Sequence, residues 1–296
     1  MRTYLDCIPC FVRQSLEAAR LASDDENLHR KILERALKTA AAWDYSIPPP
    51  GLGQGVHRAI RELSGVDDPY GETKTRFTGY LMELVPELEQ RVARADDPFL
   101  AALKLAVAGN VIDFGINIHL TRSDIDRAVE SALAWEPDRE SVEAFRNALA
   151  ASAKILYAGD NAGEIVFDKL FIRWINELFA PVEVTFVARG CPILNDVTLE
   201  DSRRAGIEEV ARLIDNGSDA PGCLLDDCSA EFHAALDEAG MVISKGQGNY
   251  ETLSEIPHQT FFLLKAKCSC IALDIGVAEG DLILLHKPPD KTGNPA

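Results

Sequence analysis

The chain has 296 residues, 47% of them hydrophobic and 26% charged, which is ordinary for a folded protein and enough apolar material for more than one structural unit. Its formal charge of -17 argues against a nucleic-acid surface, because phosphate backbones are gripped by basic faces. The N-terminus, "MRTYLDCIPC", lacks the charged-then-apolar form of a signal peptide. The most apolar late stretch, "TFFLLKAKCSCIALDIGVA", is broken by Lys265 and Lys267, so no membrane span is expected and the chain reads as cytoplasmic.

Residues 1–150 read as a helical domain. Apolar positions recur at three- and four-residue spacing in "FVRQSLEAARLA", "LHRKILERALKTAAAW", "YLMELVPELEQRV" and "DPFLAALKLAVAGNVIDFG". Three stretches read as breakers between these helices: "IPPPGLGQG" (47–55), "GVDDPYGE" (65–72) and "ADDP" (95–98). Pro98 and Pro137 lie beside acidic residues, as at helix starts.

From about residue 151 to 290 the texture changes. Short aliphatic and β-branched runs, "KILYAG", "VEVTFVARG", "VARLIDNG", "MVISKG", "TFFLLKA" and "DLILLHK", alternate with helical patterns. Such runs predict strands of a mainly parallel sheet covered by helices on both faces. The expected architecture is therefore α/β and Rossmann-like, with an all-helical N-terminal unit and a flexible tail at 291–296.

In an open α/β sheet, functional residues collect at the carboxyl ends of the strands. The first such end carries Gly159, Asp160, Asn161, Ala162, Gly163 and Glu164, and the second carries Arg189 followed by Asn195 and Asp196. A later one offers Lys245, Gly246 and Asn249, and another ends on Lys265. The first loop lacks the Gly-x-Gly-x-x-Gly dinucleotide pattern, and Asp160 and Glu164 would face a pyrophosphate anion to anion. A cation resolves that conflict. Asp160, Asn161 and Asp196 offer two carboxylates and a carbonyl, hard donors that suit Mg²⁺ or Mn²⁺. Lys245 and Lys265 would neutralise the rest of a bound phosphate. The plainer reading is that Asp160-Asn161 is a turn and Asp196 caps the helix that follows.

With "CIPCFVRQ", "AGNVIDFG", "GDNAGE", "RGCPILNDVT", "KGQGNYETL" and "LLKAKC" in this order, the chain resembles the family once labelled domain of unknown function 89, the metal-dependent damage-control phosphatases. Its Cys-x-x-Cys is similar to that of the family's prokaryotic branch. The resemblance implies a divalent ion (Mn, Mg, Co or Ni) held by Asp160, Asn161 and Asp196. It also implies substrate contacts from Lys245, Gly246, Asn249 and Lys265, and places Asn110 and Asp113 near the site. Around Lys265 the sequence lacks the Arg-Thr pair of eukaryotic branches, so sugar-phosphate specificity does not carry over. The expected activity is hydrolysis of phosphomonoesters of small metabolites (sugar phosphates, nucleotides or damaged phosphometabolites) by an activated water. Asp160, Asn161, Asp196 and Lys245 form the catalytic set. Attack by Asp160 itself is the rival route, although Ala162 stands where an aspartyl phosphatase would carry an acid. Glu164 is a candidate base. Glu164, Arg189 and Asn195 complete the substrate side.

Cys7 and Cys10 form one pair and Cys268 and Cys270 another, a candidate structural metal site or thiol cluster drawn from opposite ends of the chain. Two further functions remain open on these residues. One is an S-adenosylmethionine-dependent carboxyl methyltransferase, and the other is a non-catalytic metal- or nucleotide-binding module.

Overall fold

A computed structural model describes residues 1–109 and 122–290. The N-terminal half is helical: α1 (Cys7–Ala22), α2 (Glu26–Ala41), α3 (Pro49–Ser64), α4 (Gly71–Ala93), α5 (Pro98–Gly109), α6 (Arg122–Ala134) and α7 (Arg139–Ala151). Strands then alternate with helices: β1 (Lys154–Ala158), α8 (Ile165–Leu178), β2 (Glu183–Ala188), α9 (Leu199–Ala205), β3 (Arg212–Asp215), α10 (Ala230–Glu238) and β4 (Met241–Lys245). The chain closes with α11 (Gly246–Leu253), β5 (Thr260–Lys265), α12 (Ser269–Ile275) and β6 (Leu282–Lys287). The expected residues Asn110 and Asp113, and the tail 291–296, lie outside the described residues.

The six strands form one sheet in the order β3-β2-β1-β4-β5-β6. The first five are parallel and β6 runs antiparallel to β5. The chain reaches β6 through α12 and returns beside β5 in the opposite direction. The strand order reverses at β1, which has β2 on one side and β4 on the other, so the loop leaving β1 opens at the position where α/β sheets place their ligands.

Both sheet faces are covered. Ile155 and Tyr157 of β1 enter a core shared with α4–α8, while Leu156 and Ala158 enter a second core beneath α10–α12. The helices α4–α7 therefore share the sheet's core. Only α1–α3 build one of their own, around Ala19, Ile32, Ala36, Val56 and Ile60. Phe99, Phe145 and Phe171 pack with ring centroids 5.6–6.0 Å apart and join α5, α7 and α8. Among the described residues no helix is long and apolar enough to cross a membrane.

"IPPPGLGQG" is not the breaker that its composition suggests, because α3 runs through it. Pro49 and Pro50 occupy the first turn, where a missing N–H costs nothing. The glycines that follow give room rather than flexibility. A Cβ at Gly51 would lie 3.0 Å from the Trp43 ring, and one at Gly53 would lie 3.1 Å from both Phe11 and Pro221. The other two breakers separate helices as expected.

Candidate active site

Two loops at the carboxyl ends of β1 and β2 are stitched together by backbone hydrogen bonds. Val197 N–H donates to Asp160 O at 2.8 Å, Ala162 N–H to Asn195 O at 2.9 Å and Arg189 N–H to Val197 O at 2.8 Å. Asn161 and Asp196 thus form an isolated antiparallel bridge, which brings together the three expected oxygen donors. Asp196 does not cap α9. Thr198 does, in a capping box with Asp201, which frees Asp196 for the site. Leu194, at a φ of 48°, packs against the core of α1–α3 and so ties the Asp196 loop to the helical unit. Helix α3 adds a clasp: Gln54, Arg58 and Arg61 all bond Asp219, and Arg61 also donates to Pro192 O at 3.0 Å.

Asp160, Asn161 and Asp196 are all buried. Asn161 Nδ2 donates to Asp160 Oδ2 at 2.9 Å and to Glu164 Oε2 at 3.2 Å, which turns the amide oxygen away from both. The wholly buried Arg189 donates from Nε to Asp196 Oδ2 at 2.7 Å. Its Nη2 lies 3.9 Å from Asp160 Oδ1 and has no hydrogen-bond partner among the described residues. A buried guanidinium nitrogen without an acceptor is costly, and it marks a place for one more anionic oxygen. Burial pushes the Asp160 carboxyl up to about 8, with the charges of Glu164 and Asp196 adding to the rise and Lys267 and Arg189 opposing it. The Asp196 carboxyl is likewise raised by burial, against Arg189, Lys74 and Lys267.

Lys245 sits elsewhere than expected. Its ammonium is wholly buried and points inward, donating to Ala106 O at 2.8 Å, to Asp168 Oδ1 at 2.6 Å and to Glu164 Oε1. Two buried carboxylates capture it, so its three hydrogens are committed within the protein. Asn249 braces the loop, its Nδ2 donating to Gly159 O and Lys245 O at 2.8 Å each. Lys265 is half-buried at the end of β5, and Asn195 is half-buried with its carbonyl committed to Ala162. Three participants were not read from the sequence: Asp168, Tyr157 and Lys267. Asp168 lies one helical turn beyond Glu164 on an otherwise apolar helix face, which is the signal that would have found it.

Gly246 has a φ of 76°, and a Cβ there would lie 1.9 Å from Asp160 Oδ2. The glycine lets Asp160 rest on the N-terminus of α11, where the helix dipole favours negative charge. Gly246→Ala is expected to cost at least about 1–2 kcal/mol from the backbone alone and to displace the Asp160 carboxylate. Urea unfolding checks this, and a variant as stable as the wild type would contradict it.

The two cysteine pairs meet. Cys270 lies near enough to bear on the Cys7 thiol and Cys268 on Cys10, and Gln247 Nε2 lies 3.6 Å from Cys268 Sγ. Burial pushes the Cys7 thiol up to about 12. Among the described residues no three His, Cys, Asp or Glu side chains gather closely enough to hold a metal ion. The four cysteines remain free thiols, and the strand-end set depends on the Asn161 amide for its third oxygen.

Sheet, reversal point and strand-end carboxylates define a Rossmann-like α/β protein with its candidate site at the β1 loop. Residues 3–283 match the Damage-control phosphatase ARMT1-like domain, and the chain belongs to that family. It is similar to a damage-control phosphatase of Archaeoglobus fulgidus, 35% identical over 94% of this chain and 96% of the relative. It is also similar to the damage-control phosphatase PH1575 of Pyrococcus horikoshii, 33% identical over 97% of this chain and 98% of that one. The crystal structure of PH1575, described as a DUF89 family protein, matches with a TM-score of 0.88 at 32% identity, covering 97% of this chain and 99% of that chain.

Proposed function

We propose that the protein hydrolyses phosphomonoesters of small metabolites, with a divalent cation (Mn, Mg, Co or Ni) held by Asp160, Asn161 and Asp196. The observation that carries this reading is the backbone bridge between Asn161 and Asp196, which sets the residues Asp160, Asn161 and Asp196 side by side at the sheet's reversal point. Charge supports the fit. Among the described residues, the buried carboxylates of Asp160, Glu164, Asp168 and Asp196 gather beside the buried cations Lys245 and Arg189, a concentration of acidic groups that a divalent ion would help to neutralise. Hard oxygen donors match the named metals.

Such an ion supplies charge at the phosphoryl oxygens and activates a water. The protein's own groups do the rest. Arg189 fixes the Asp196 carboxylate through Nε and keeps Nη2 aimed beside Asp160, where it stabilises charge that develops on a phosphoryl oxygen. Lys267, whose charge acts on both Asp160 and Asp196, stands at the exposed rim and draws in an anionic substrate. Lys265 flanks it at the end of β5. The family match favours a small phosphorylated substrate, and the net charge of -17 disfavours a nucleic acid.

Chelator-stripped protein should leave an aryl phosphate intact and regain turnover when Mn²⁺, Mg²⁺, Co²⁺ or Ni²⁺ is restored singly. Folded protein that is inactive with every ion, or equally active without any, would overturn the proposal.

A further inference from the structure

Behind the proposed cation ligands lies a row of wholly buried side chains: Glu164, Lys245, Asp168 and Tyr157. Tyr157 Oη donates to Asp168 Oδ1 at 2.6 Å, and Lys245 donates to the same oxygen at 2.6 Å. Lys245 also donates to Ala106 O at 2.8 Å, which leaves its third hydrogen for Glu164 Oε1. The other oxygen of Glu164 accepts from Asn161 Nδ2 at 3.2 Å, while Asp160 Oδ2 takes that amide group's second hydrogen at 2.9 Å.

The chemistry of an amide makes this arrangement informative. Its two ends are nearly the same size, so a half-turn of the side chain would present NH₂ to a cation in place of the carbonyl oxygen. Two acceptors on the nitrogen side, held rigidly, forbid that half-turn.

We propose that Glu164 is a positioning residue that fixes the Asn161 amide with its oxygen toward the cation, and that Lys245, Asp168 and Tyr157 hold Glu164 in place. The assignment rests on the phosphatase reading only for the identity of the cation site. It gives Glu164 a task other than that of a base, since Oε1 is bonded to Lys245 and Oε2 to Asn161. It also explains why Lys245 faces inward.

The test is calorimetric titration of Mn²⁺ into chelator-stripped wild type, Glu164→Gln, Tyr157→Phe, Asn161→Ala and the double variant Asn161→Ala/Glu164→Gln. Hydrolysis of an aryl phosphate is followed in parallel as Mn²⁺ is raised. Glu164→Gln is expected to weaken Mn²⁺ binding about tenfold or more, as outer-shell partners of metal ligands do, with kcat at saturating Mn²⁺ falling by a smaller factor. Tyr157→Phe, which keeps every charge and the ring, should weaken binding in the same direction by a few fold. In the Asn161→Ala background the Glu164→Gln change should have a clearly smaller effect, since the part exerted through that amide is gone and only the loss of its charge remains. Equal effects in both backgrounds would overturn the proposal. So would unchanged Mn²⁺ affinity with a loss of kcat, which would make Glu164 a base. Tyr157→Phe keeps the test decisive should Glu164→Gln fail to fold, since wild-type affinity in Tyr157→Phe would then overturn the inference. Because the binding arm needs no turnover, a wild type that binds Mn²⁺ without hydrolysing would sink the function while leaving this inference to be decided. A wild type that binds no Mn²⁺ would overturn both.

Discussion

Asp160→Asn is expected to abolish turnover and, in the metal-free protein, to raise the melting temperature above pH 7. Loss of a metal-ligating carboxylate should lower kcat/KM by a factor of about a thousand or more, roughly 4 kcal/mol of transition-state stabilisation. The stability gain follows from where the carboxylate sits. Burial, Glu164 and Asp196 push its folded-state value from 3.8 up to about 8. Between those limits the folded metal-free protein holds a proton that the unfolded chain has released. Its stability is therefore greatest at the acidic end and declines as pH rises through 8, by at most about 1.4 kcal/mol per pH unit for one group. Asparagine removes that slope. Thermal unfolding of both proteins in chelator from pH 5 to 9 checks the sign. Parallel curves would contradict it.

Lys245→Met is expected to destabilise the fold by about 3–5 kcal/mol, the usual cost of stripping the cation from a buried ionic set. Glu164 and Asp168 would be left wholly buried with no shared ammonium between them. Adding Asp168→Asn should recover part of the loss by removing one of the two charges. Urea unfolding of the single and double variants measures this. A single variant as stable as the wild type, with only its KM raised, would return Lys245 to the substrate side, where its place in "KGQGN" had suggested it belonged.

Why the sequence placed Lys245 correctly along the chain but not in space is a matter of direction. Strand ends are readable because aliphatic runs such as "KILYA" and "MVIS" stop at polar residues, and the sheet rule puts those residues on one edge. Asp160, Asn161 and Asp196 emerged in this way. Which way a long side chain turns at that edge depends on partners from other elements. The partners of Lys245 are Glu164 and Asp168 of the α8 region and the Ala106 carbonyl of α5. None of these contacts leaves a periodic trace, and Asp168 looks like a stray polar residue in "IVFDKLFIRW". Lys267 was missed for a similar reason, because its charge reaches Asp160 and Asp196 only once the strand-end loops are assembled.

The misread helix α3 shows the opposite failure. Three prolines and three glycines in "IPPPGLGQG" carry strong local breaker chemistry, yet the helix forms, and Trp43, Phe11 and Pro221 press closely enough on Gly51 and Gly53 to leave little room for a side chain at those two positions. Tertiary packing overrode propensity. The meeting of Cys7 with Cys270 was likewise invisible, since spacing says nothing about residues from opposite ends of the chain.

The account depends most on a divalent ion lying among Asp160, Asn161 and Asp196. Anomalous diffraction at the manganese edge, from crystals of the protein loaded with Mn²⁺, addresses it directly. One strong peak bounded by those three side chains is expected, lost in crystals of Asp196→Asn. A peak at the cysteine cluster instead, or none in a protein that still hydrolyses phosphate esters, would contradict it.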